Sequence, residues 1–270
     1  MIPINVDRNV GPSAFDPLHL AVTSIFYTFQ GEGPFAGRPA VFIRLAGCDI
    51  GRKEDCKFCD TYFALDDAKL VSPRDVAERA FRAWPADSGS RRRLYVITGG
   101  EPLLQYEALH TMLTHLRAIS AEHAYGADVQ VETNGHYLRL GNYLEDVLYV
   151  VSPKVPARSG RYQPLTPFIA ALCRQGYAYV KLIVTADPSS PYHIVPAYAH
   201  EEDVRDRVYL SPMTDYTGSP STMPDRPVSI FDLSPEAVRL TRANIQHATR
   251  LALLYNFKLS FQTHLFAGVA

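Results

Sequence analysis

The sequence has 270 residues, of which 47% are hydrophobic and 11% aromatic. It is therefore long and apolar enough to bury a sizeable core, which excludes disorder as its main state. The 27 basic and 28 acidic side chains give a net charge of −1. This balance argues against nucleic-acid binding through bulk electrostatics, which requires a basic face. The length favours roughly two domains, although single α/β barrels of this size are common.

No segment approaches the roughly 18 consecutive apolar residues that a membrane span requires. Residues 1–17 contain no apolar run of signal-peptide length. We therefore expect a cytoplasmic protein with reduced thiols. In that setting clustered cysteines bind metal more often than they form disulfides.

Strand and helix patterns alternate along most of the chain. Residues 1–20 lack clear periodicity and are interpreted as an N-terminal arm on a body formed by 21–270. The alternation predicts right-handed βαβ units, a mainly parallel sheet and the α/β class. The predicted strands cover 40–46, 94–97, 129–131, 147–151, 179–185, 208–210 and 258–262. One predicted helix begins after Ser72, and the others cover 104–121, 167–175 and 235–254.

Short polar or glycine-rich motifs follow nearly every predicted strand. In parallel α/β sheets, ligands bind at the edge formed by the carboxyl ends of the strands. These motifs therefore predict a binding site at that edge. The turn-rich connection 214–227 is either a mobile lid or a packed surface excursion.

The four cysteines divide into three together and one apart. Cys48, Cys56 and Cys59 follow the spacing C-x7-C-x2-C, while Cys173 lies in an apolar helical pattern and is interpreted as a core residue. Three thiolates without a fourth ligand suit an iron–sulfur cluster with one open iron. Zinc binding and unliganded thiols stay open on the cysteines alone.

The segment 25–48, IFYTFQGEGPFAGRPAVFIRLAGC, and the segment 56–61, CKFCDT, resemble the radical S-adenosylmethionine enzymes. Within that superfamily they are similar to the 7-carboxy-7-deazaguanine synthases of queuosine and 7-deazapurine biosynthesis. Four further motifs match in the same order, so the resemblance covers roughly residues 24–270. They are TGGEP at 98–102, ETNG at 132–135, SPK at 152–154 and QTH at 262–264.

The resemblance implies a partial (incomplete) TIM-like barrel and a carbon–nitrogen lyase. The implied reaction is the ring contraction of 6-carboxy-5,6,7,8-tetrahydropterin to 7-carboxy-7-deazaguanine with loss of ammonia. It starts when a 5′-deoxyadenosyl radical takes a hydrogen atom from C6. The implied cofactors are S-adenosylmethionine, Mg²⁺ at Thr61, and a [4Fe–4S] cluster on Cys48, Cys56 and Cys59.

The resemblance also implies the substrate ligands. Arg44 lies inside an apolar strand pattern and can pair bidentately with the substrate carboxylate. Segment 29–31 can read the pterin edge, and Glu32 can accept from its amino-pyrimidinone. The implied substrate contacts are Phe29, Gln30, Gly31, Arg44, Thr98, His264 and the terminal carboxylate of Ala270, and the implied catalytic residues are Arg44, Glu32 and His264.

The implied contacts to S-adenosylmethionine lie mostly in the strand-end motifs. Gly99 and Gly100 let the backbone approach the methionine amino group, and Glu101 can accept from that group or orient the turn. Some members have glutamine in place of Ser211, so we expect a water-mediated or backbone contact there. The full set is Phe58, Cys59, Asp60, Gly99, Gly100, Glu101, Ser152, Pro153, Lys154, Ser211, Pro212, Met213 and Thr214.

The first cysteine gap departs from the three-residue gap usual in the superfamily. The deazaguanine synthases vary in length at this gap, so we expect residues 49–55 to form an exposed loop. The resemblance further implies a homodimer, an electron donor such as flavodoxin or ferredoxin, and no direct contact with nucleic acid or membrane. Two alternatives stay open: a glycyl-radical activase, and a zinc-binding interaction module without catalysis.

Overall fold

The computed structural model describes residues 14–50, 56, 58–59, 68–86, 88–156, 159–216 and 229–268. Contacts divide the chain into two compact units. Unit 1 takes its residues from 1–29, 38–53 and 61–149, and unit 2 takes its residues from 30–37, 54–60 and 150–270. The expected division into an arm, 1–20, and one domain, 21–270, stays a prediction.

Unit 1 is a sheet with helices. Its strands are β1 (Leu20–Phe29), β2 (Pro39–Leu45), β3 (Lys69–Val71), β4 (Arg92–Gly99) and β5 (Gly126–Thr133), and its helices are α1 (Pro73–Arg82) and α2 (Tyr106–Glu122). The strand order is β3-β1-β2-β4-β5. β1 pairs antiparallel with β2 and β3, whereas β2, β4 and β5 are parallel.

The sequence accounts for these elements locally. Ser72 caps α1, because its side chain accepts from the Asp75 amide and Pro73 occupies the first helical position. The β4 core, residues 94–97, is fully buried, as expected for a strand covered on both faces. Apolar residues of α2 recur at helical spacing and are buried: Leu109, Met112, Leu113 and Leu116.

Unit 2 repeats the alternation of strands and helices. Its parallel strands are β7 (Ala178–Val184), β8 (Val208–Pro212) and β9 (Lys258–Leu259), and its helices are α3 (Pro167–Gln175), α4 (Glu202–Arg205), α5 (Pro235–Tyr255) and α6 (Thr263–Ala267). β6 (Leu148–Val151) contributes two residues to each unit. Along β7 buried and half-buried residues alternate, so one face of the strand carries the core.

Every strand and helix predicted from the sequence is present. α3 has the predicted bounds and α1 begins after Ser72 as predicted, whereas the other elements differ at one or both ends. β9 is shorter than predicted, since it ends at Leu259, and residues 260–262 separate it from α6. β1 and β3 were missed, and β1 begins within the predicted arm at Leu20. Most of the connection 214–227 lies outside the described residues. Among the helices that the structure describes, none combines the length and apolar character needed to cross a membrane.

Candidate active site

Unit 1 brings two predicted substrate ligands together. Arg44 on β2 is paired in register with Thr98 on β4. The Thr98 hydroxyl donates to Oε2 of Glu132 at 2.9 Å, and Oε1 of Glu132 accepts from the buried amide of Gln130 at 3.1 Å. The Arg44 guanidinium carbon lies 5.0 Å from the centre of the Phe26 ring. Arginine, hydroxyl and carboxylate thus follow one another along the carboxyl ends of β2, β4 and β5.

The turn after β4 is fastened to the end of β2 through the backbone. The Gly100 amide donates to the Leu45 carbonyl at 3.0 Å, and the Glu101 amide donates to the Gly47 carbonyl at 2.8 Å. A Cβ atom on Gly100 would overlap the Gly47 carbonyl oxygen, so glycine is required for this approach. Gly99 pairs with Leu45 in the same register. The predicted approach of this backbone to S-adenosylmethionine stays a prediction.

Glu101 is a carboxylate at the centre of unit 1. Its side chain is only 1% exposed and accepts from the Leu103 amide at 3.0 Å, the Thr133 hydroxyl at 2.7 Å and the Asn134 amide at 2.7 Å. Burial raises the pKa of Glu101 to about 7, although these three donors oppose the shift. Of its two expected roles, orienting the turn fits this geometry, and contact with S-adenosylmethionine stays a prediction.

The loop that carries Cys48 is bonded to the turn after β5. Asp49 accepts from the Asn134 side-chain amide at 2.7 Å and lies 2.5 Å from Nδ1 of His136. The His136 backbone amide donates to Oδ1 of Asn134 at 2.8 Å. The Asp49 side chain is 8% exposed, whereas that of His136 is 49% exposed. The residue after the first cysteine is therefore held in place by the ETNG turn.

The other two clustered cysteines lie in one turn of unit 2. The Cys59 amide donates to the Cys56 carbonyl at 3.0 Å, and both residues are half-buried. Phe58 between them packs edge-on against Tyr192, with ring centres 5.0 Å apart. The Tyr192 hydroxyl accepts from the Val155 amide at 2.9 Å. These contacts join the CxxC turn to the segment after β6.

Cys173 is chemically distinct from the clustered cysteines. It is fully buried on α3, and burial raises the pKa of its thiol to about 12. Its interpretation as a core residue is confirmed by this complete burial. Within the described ranges, no three His, Cys, Asp or Glu residues form a group able to hold a metal ion. The cluster ligands therefore stay a prediction.

Glu32 is a second shielded carboxylate, in unit 2. Its Oε2 lies 2.7 Å from Nζ of Lys181 on β7, and its Oε1 accepts from the Ser211 hydroxyl on β8 at 3.1 Å. Burial opposes ionisation of Glu32, yet the charge and hydrogen bond of Lys181 hold its pKa below the usual value. Ser211, implied as a contact to S-adenosylmethionine, is bonded to Glu32.

Predicted substrate residues from distant parts of the sequence also meet in unit 2. A Cβ atom on Gly31 would overlap Nδ1 of His264, so the ring packs directly on this glycine. The Thr263 amide and hydroxyl donate to the Gly31 carbonyl at 3.2 and 2.9 Å. Gln30 is buried and accepts from the Glu32 amide at 3.1 Å. The QGEG segment is thus fixed against the start of α6.

The remaining predicted residues lie in separate turns or outside the described ranges. Nζ of Lys154 donates to the Ser152 hydroxyl at 2.8 Å, beside Pro153. The Met213 amide donates to the Val184 carbonyl at 2.9 Å, directly after Pro212. The Thr214 hydroxyl donates to Gln262 at 2.6 Å, and Phe29 ends β1 opposite Pro39. Asp60, Thr61 and Ala270 lie outside the described residues.

Comparisons with known proteins identify the family. No family model matches the chain. The 7-carboxy-7-deazaguanine synthase of Rickettsia prowazekii is 32% identical over 258 residues, which cover 94% of this chain and 90% of that protein. Those of Hyperthermus butylicus and Rhodospirillum rubrum are 35% and 30% identical over 72% and 96% of this chain, and 77% and 97% of their own lengths. The chain belongs to the 7-carboxy-7-deazaguanine synthase family.

A solved structure supports the fold class. QueE from Escherichia coli is 20% identical, with a TM-score of 0.53, over 90% of this chain and 93% of its own. This likeness confirms the expected α/β fold with mainly parallel strands, a partial barrel. Family membership confirms the expected enzyme class and sets aside the glycyl-radical activase and the zinc-binding module.

Four residues that hold the site received no role from the sequence. Glu132 and Asn134 lie in the ETNG motif, which served only as a family signature. Lys181 is a charged residue inside an apolar strand, the same signal that singled out Arg44. Asp49 carries no signal beyond its place after the first cysteine, because its partners lie more than 80 residues away.

The raised pKa of Glu101 predicts that its ionisation opposes folding. Its folded-state pKa of about 7 lies above the ordinary value of 4.5, so its stabilising contribution is complete below about pH 4.5. The contribution is lost as the pH rises through about 7. Between pH 5 and 8 we expect the wild type to lose on the order of 2–3 kcal/mol of unfolding free energy relative to Glu101→Gln.

Urea unfolding at four pH values between 5 and 8, on protein prepared without iron, measures this difference. Glu107→Gln, at an exposed position on α2, is the matched control and should follow the wild type. If the unfolding free energies of the wild type and Glu101→Gln change in parallel with pH, the raised pKa of Glu101 is contradicted.

Proposed function

We propose that the protein is a 7-carboxy-7-deazaguanine synthase, which converts 6-carboxy-5,6,7,8-tetrahydropterin to 7-carboxy-7-deazaguanine with loss of ammonia. Family membership over nearly the whole chain supports this. The observation that carries the proposal is the placement of the motifs. Arg44, Thr98 and Glu132 lie at the carboxyl ends of parallel strands in unit 1, and Ser211 lies at such an end in unit 2.

The donor set suits a [4Fe–4S] cluster with one open iron. We assign its ligands as Cys48, Cys56 and Cys59, since two of them share a turn and Cys173 is fully buried on α3. When bound, the cluster and S-adenosylmethionine supply the 5′-deoxyadenosyl radical that removes hydrogen from C6. The protein contributes orientation and exclusion of water around that step.

Arg44 would bind the substrate carboxylate. The Arg44 guanidinium suits bidentate pairing with a carboxylate, and its position over Phe26 fixes the plane of the group. The Thr98 hydroxyl donates a hydrogen bond to Glu132. The lone pairs of the Thr98 oxygen are therefore left to accept from a ligand N–H group. Glu132 thereby makes Thr98 a hydrogen-bond acceptor towards the ligand.

The segment 29–32 would bind the pterin edge. The ionised Glu32 accepts from the amino-pyrimidinone, and the backbone of Phe29, Gln30 and Gly31 completes the contact. His264 packs on Gly31 and reaches the same region from α6. The carboxylate of Ala270 remains a proposed substrate ligand.

The other contacts complete the proposal. The segments 99–101, 152–154 and 211–214 would hold S-adenosylmethionine together with Phe58, Cys59 and Asp60, and Thr61 would bind Mg²⁺ beside substrate oxygens. We propose a flavodoxin or ferredoxin as electron donor, a homodimer as the assembly, and the cytoplasm as the location, since the cluster requires reduced thiols.

The cluster assignment predicts the behaviour of the cysteine variants. Anaerobically reconstituted wild-type protein should be brown and contain about four irons per chain. Cys48→Ala, Cys56→Ala and Cys59→Ala should each lose the charge-transfer absorbance and the iron. Cys173→Ala is the matched control and should keep both. Loss of the cluster in Cys173→Ala, or stoichiometric zinc in colourless wild type, would contradict the assignment.

Activity tests the function itself. Reduced protein supplied with 6-carboxytetrahydropterin, S-adenosylmethionine and Mg²⁺ should form the deazapurine. Arg44→Ala should raise the substrate KM about 100-fold, because it removes a charge-assisted bidentate contact, while reductive cleavage of S-adenosylmethionine continues.

Arg242→Ala, at an exposed position on α5, is the control and should leave KM unchanged. An unchanged KM in Arg44→Ala would refute the carboxylate contact, and a wild type that forms no deazapurine would refute the function.

A further inference from the structure

We propose that Lys181 is a positioning residue for substrate recognition, which fixes the Glu32 carboxylate so that it reads the amino-pyrimidinone edge of the pterin. Ser211 shares this task from the neighbouring strand. The inference rests on the proposed function and assigns a role to a lysine that belongs to none of the family motifs named above.

The position of Lys181 in β7 is unusual for a lysine. Its neighbours Val180 and Leu182 are fully buried on the core face, and Lys181 lies on the other face. Lys181 is nevertheless only 12% exposed, and its partner Glu32 is 13% exposed. Removing two charges from water is costly unless the pair is close and well oriented. The 2.7 Å contact between Nζ and Oε2 meets that condition.

Ser211 contacts the Glu32 carboxylate oxygen that Lys181 does not contact. It pairs in register with Ile183, two residues beyond Lys181 along β7, and its hydroxyl donates to Oε1 of Glu32 at 3.1 Å. Each carboxylate oxygen therefore has a donor on a different strand, which restricts rotation of the group. A carboxylate has about four lone-pair sites, so one further acceptor site remains on each oxygen.

These two acceptor sites match the chemistry of the substrate. The amino-pyrimidinone edge of a pterin carries two adjacent donors, the ring N–H and the exocyclic amino group, which a carboxylate can accept in parallel. A protonated Glu32 would instead present a donor to one of them. The charged groups that face Glu32 are Lys181 from β7 and His264 from α6, and Lys181 is the one in direct contact.

The test compares four variants: Lys181→Met, Lys181→Arg, Glu32→Gln and the double variant Lys181→Met/Glu32→Gln. Lys181→Met should raise the substrate KM at least about tenfold, with kcat, iron content and circular dichroism near those of the wild type. Lys181→Arg should have a substrate KM close to that of the wild type. In the Glu32→Gln background, Lys181→Met should raise the substrate KM by less than about twofold, because Lys181 acts only through the Glu32 carboxylate.

Equilibrium binding provides a readout that needs no turnover. The probes are pterin-6-carboxylate and lumazine-6-carboxylate, which carries an oxygen in place of the exocyclic amino group. Wild-type protein should prefer the pterin, and Lys181→Met should lose most of this preference. Lys69→Met, an exposed lysine on β3, is the control and should behave as the wild type.

The outcomes separate this inference from the proposed function. If the wild type forms the deazapurine but Lys181→Met keeps its KM and its preference for pterin, the inference is wrong. An undiminished effect of Lys181→Met in the Glu32→Gln background would also overturn it, since Lys181 would then act independently of Glu32. If Lys181→Met does not fold, Ser211→Ala carries the same comparison, because it removes the donor to the other oxygen of Glu32. A wild type that forms no product and binds neither probe refutes both proposals.

Discussion

A carboxylate removed from water has to be surrounded by hydrogen-bond donors or cations, and Glu101 and Glu32 satisfy this requirement where strands end. In unit 1, Glu101 accepts from the Thr133 hydroxyl and the Asn134 amide just after β5. In unit 2, Glu32 is held by Lys181 on β7. Since losing these donors would leave a buried charge unpaired, Glu101 fixes the turn after β5, and Glu32 fixes its own segment against β7 and β8.

This constraint explains why the motif residues fall into two kinds. Some of them hold the loops together, as Asn134 does when it bonds both Glu101 and Asp49, the residue after Cys48. Others, such as Arg44, are left to act on ligands. Radical chemistry depends on this division, since a reactive intermediate needs a rigid site that excludes water. The loop contacts supply the rigidity, and the proposed ligand contacts supply the recognition.

The hydrophobic patterns predicted the parallel strands well, because β4 and β7 are short apolar runs between turn signals. β1 was missed because its polar and apolar residues do not alternate cleanly. The motifs located the site region, but they did not reveal its internal contacts. The partners of Asp49 and of Glu32 are 85 and 149 residues away in the chain, and a local pattern contains no information on such distant contacts. Lys181 was the exception, since a charge inside an apolar strand is a local signal.

The proposed reaction begins when a hydrogen atom is removed from C6 of the pterin. The most direct test uses 6-carboxytetrahydropterin with deuterium at C6 and follows the label by mass spectrometry of the 5′-deoxyadenosine that forms. Removal of the C6 hydrogen predicts deuterium in the 5′-deoxyadenosine together with formation of 7-carboxy-7-deazaguanine. Unlabelled 5′-deoxyadenosine accompanying the same product would contradict it.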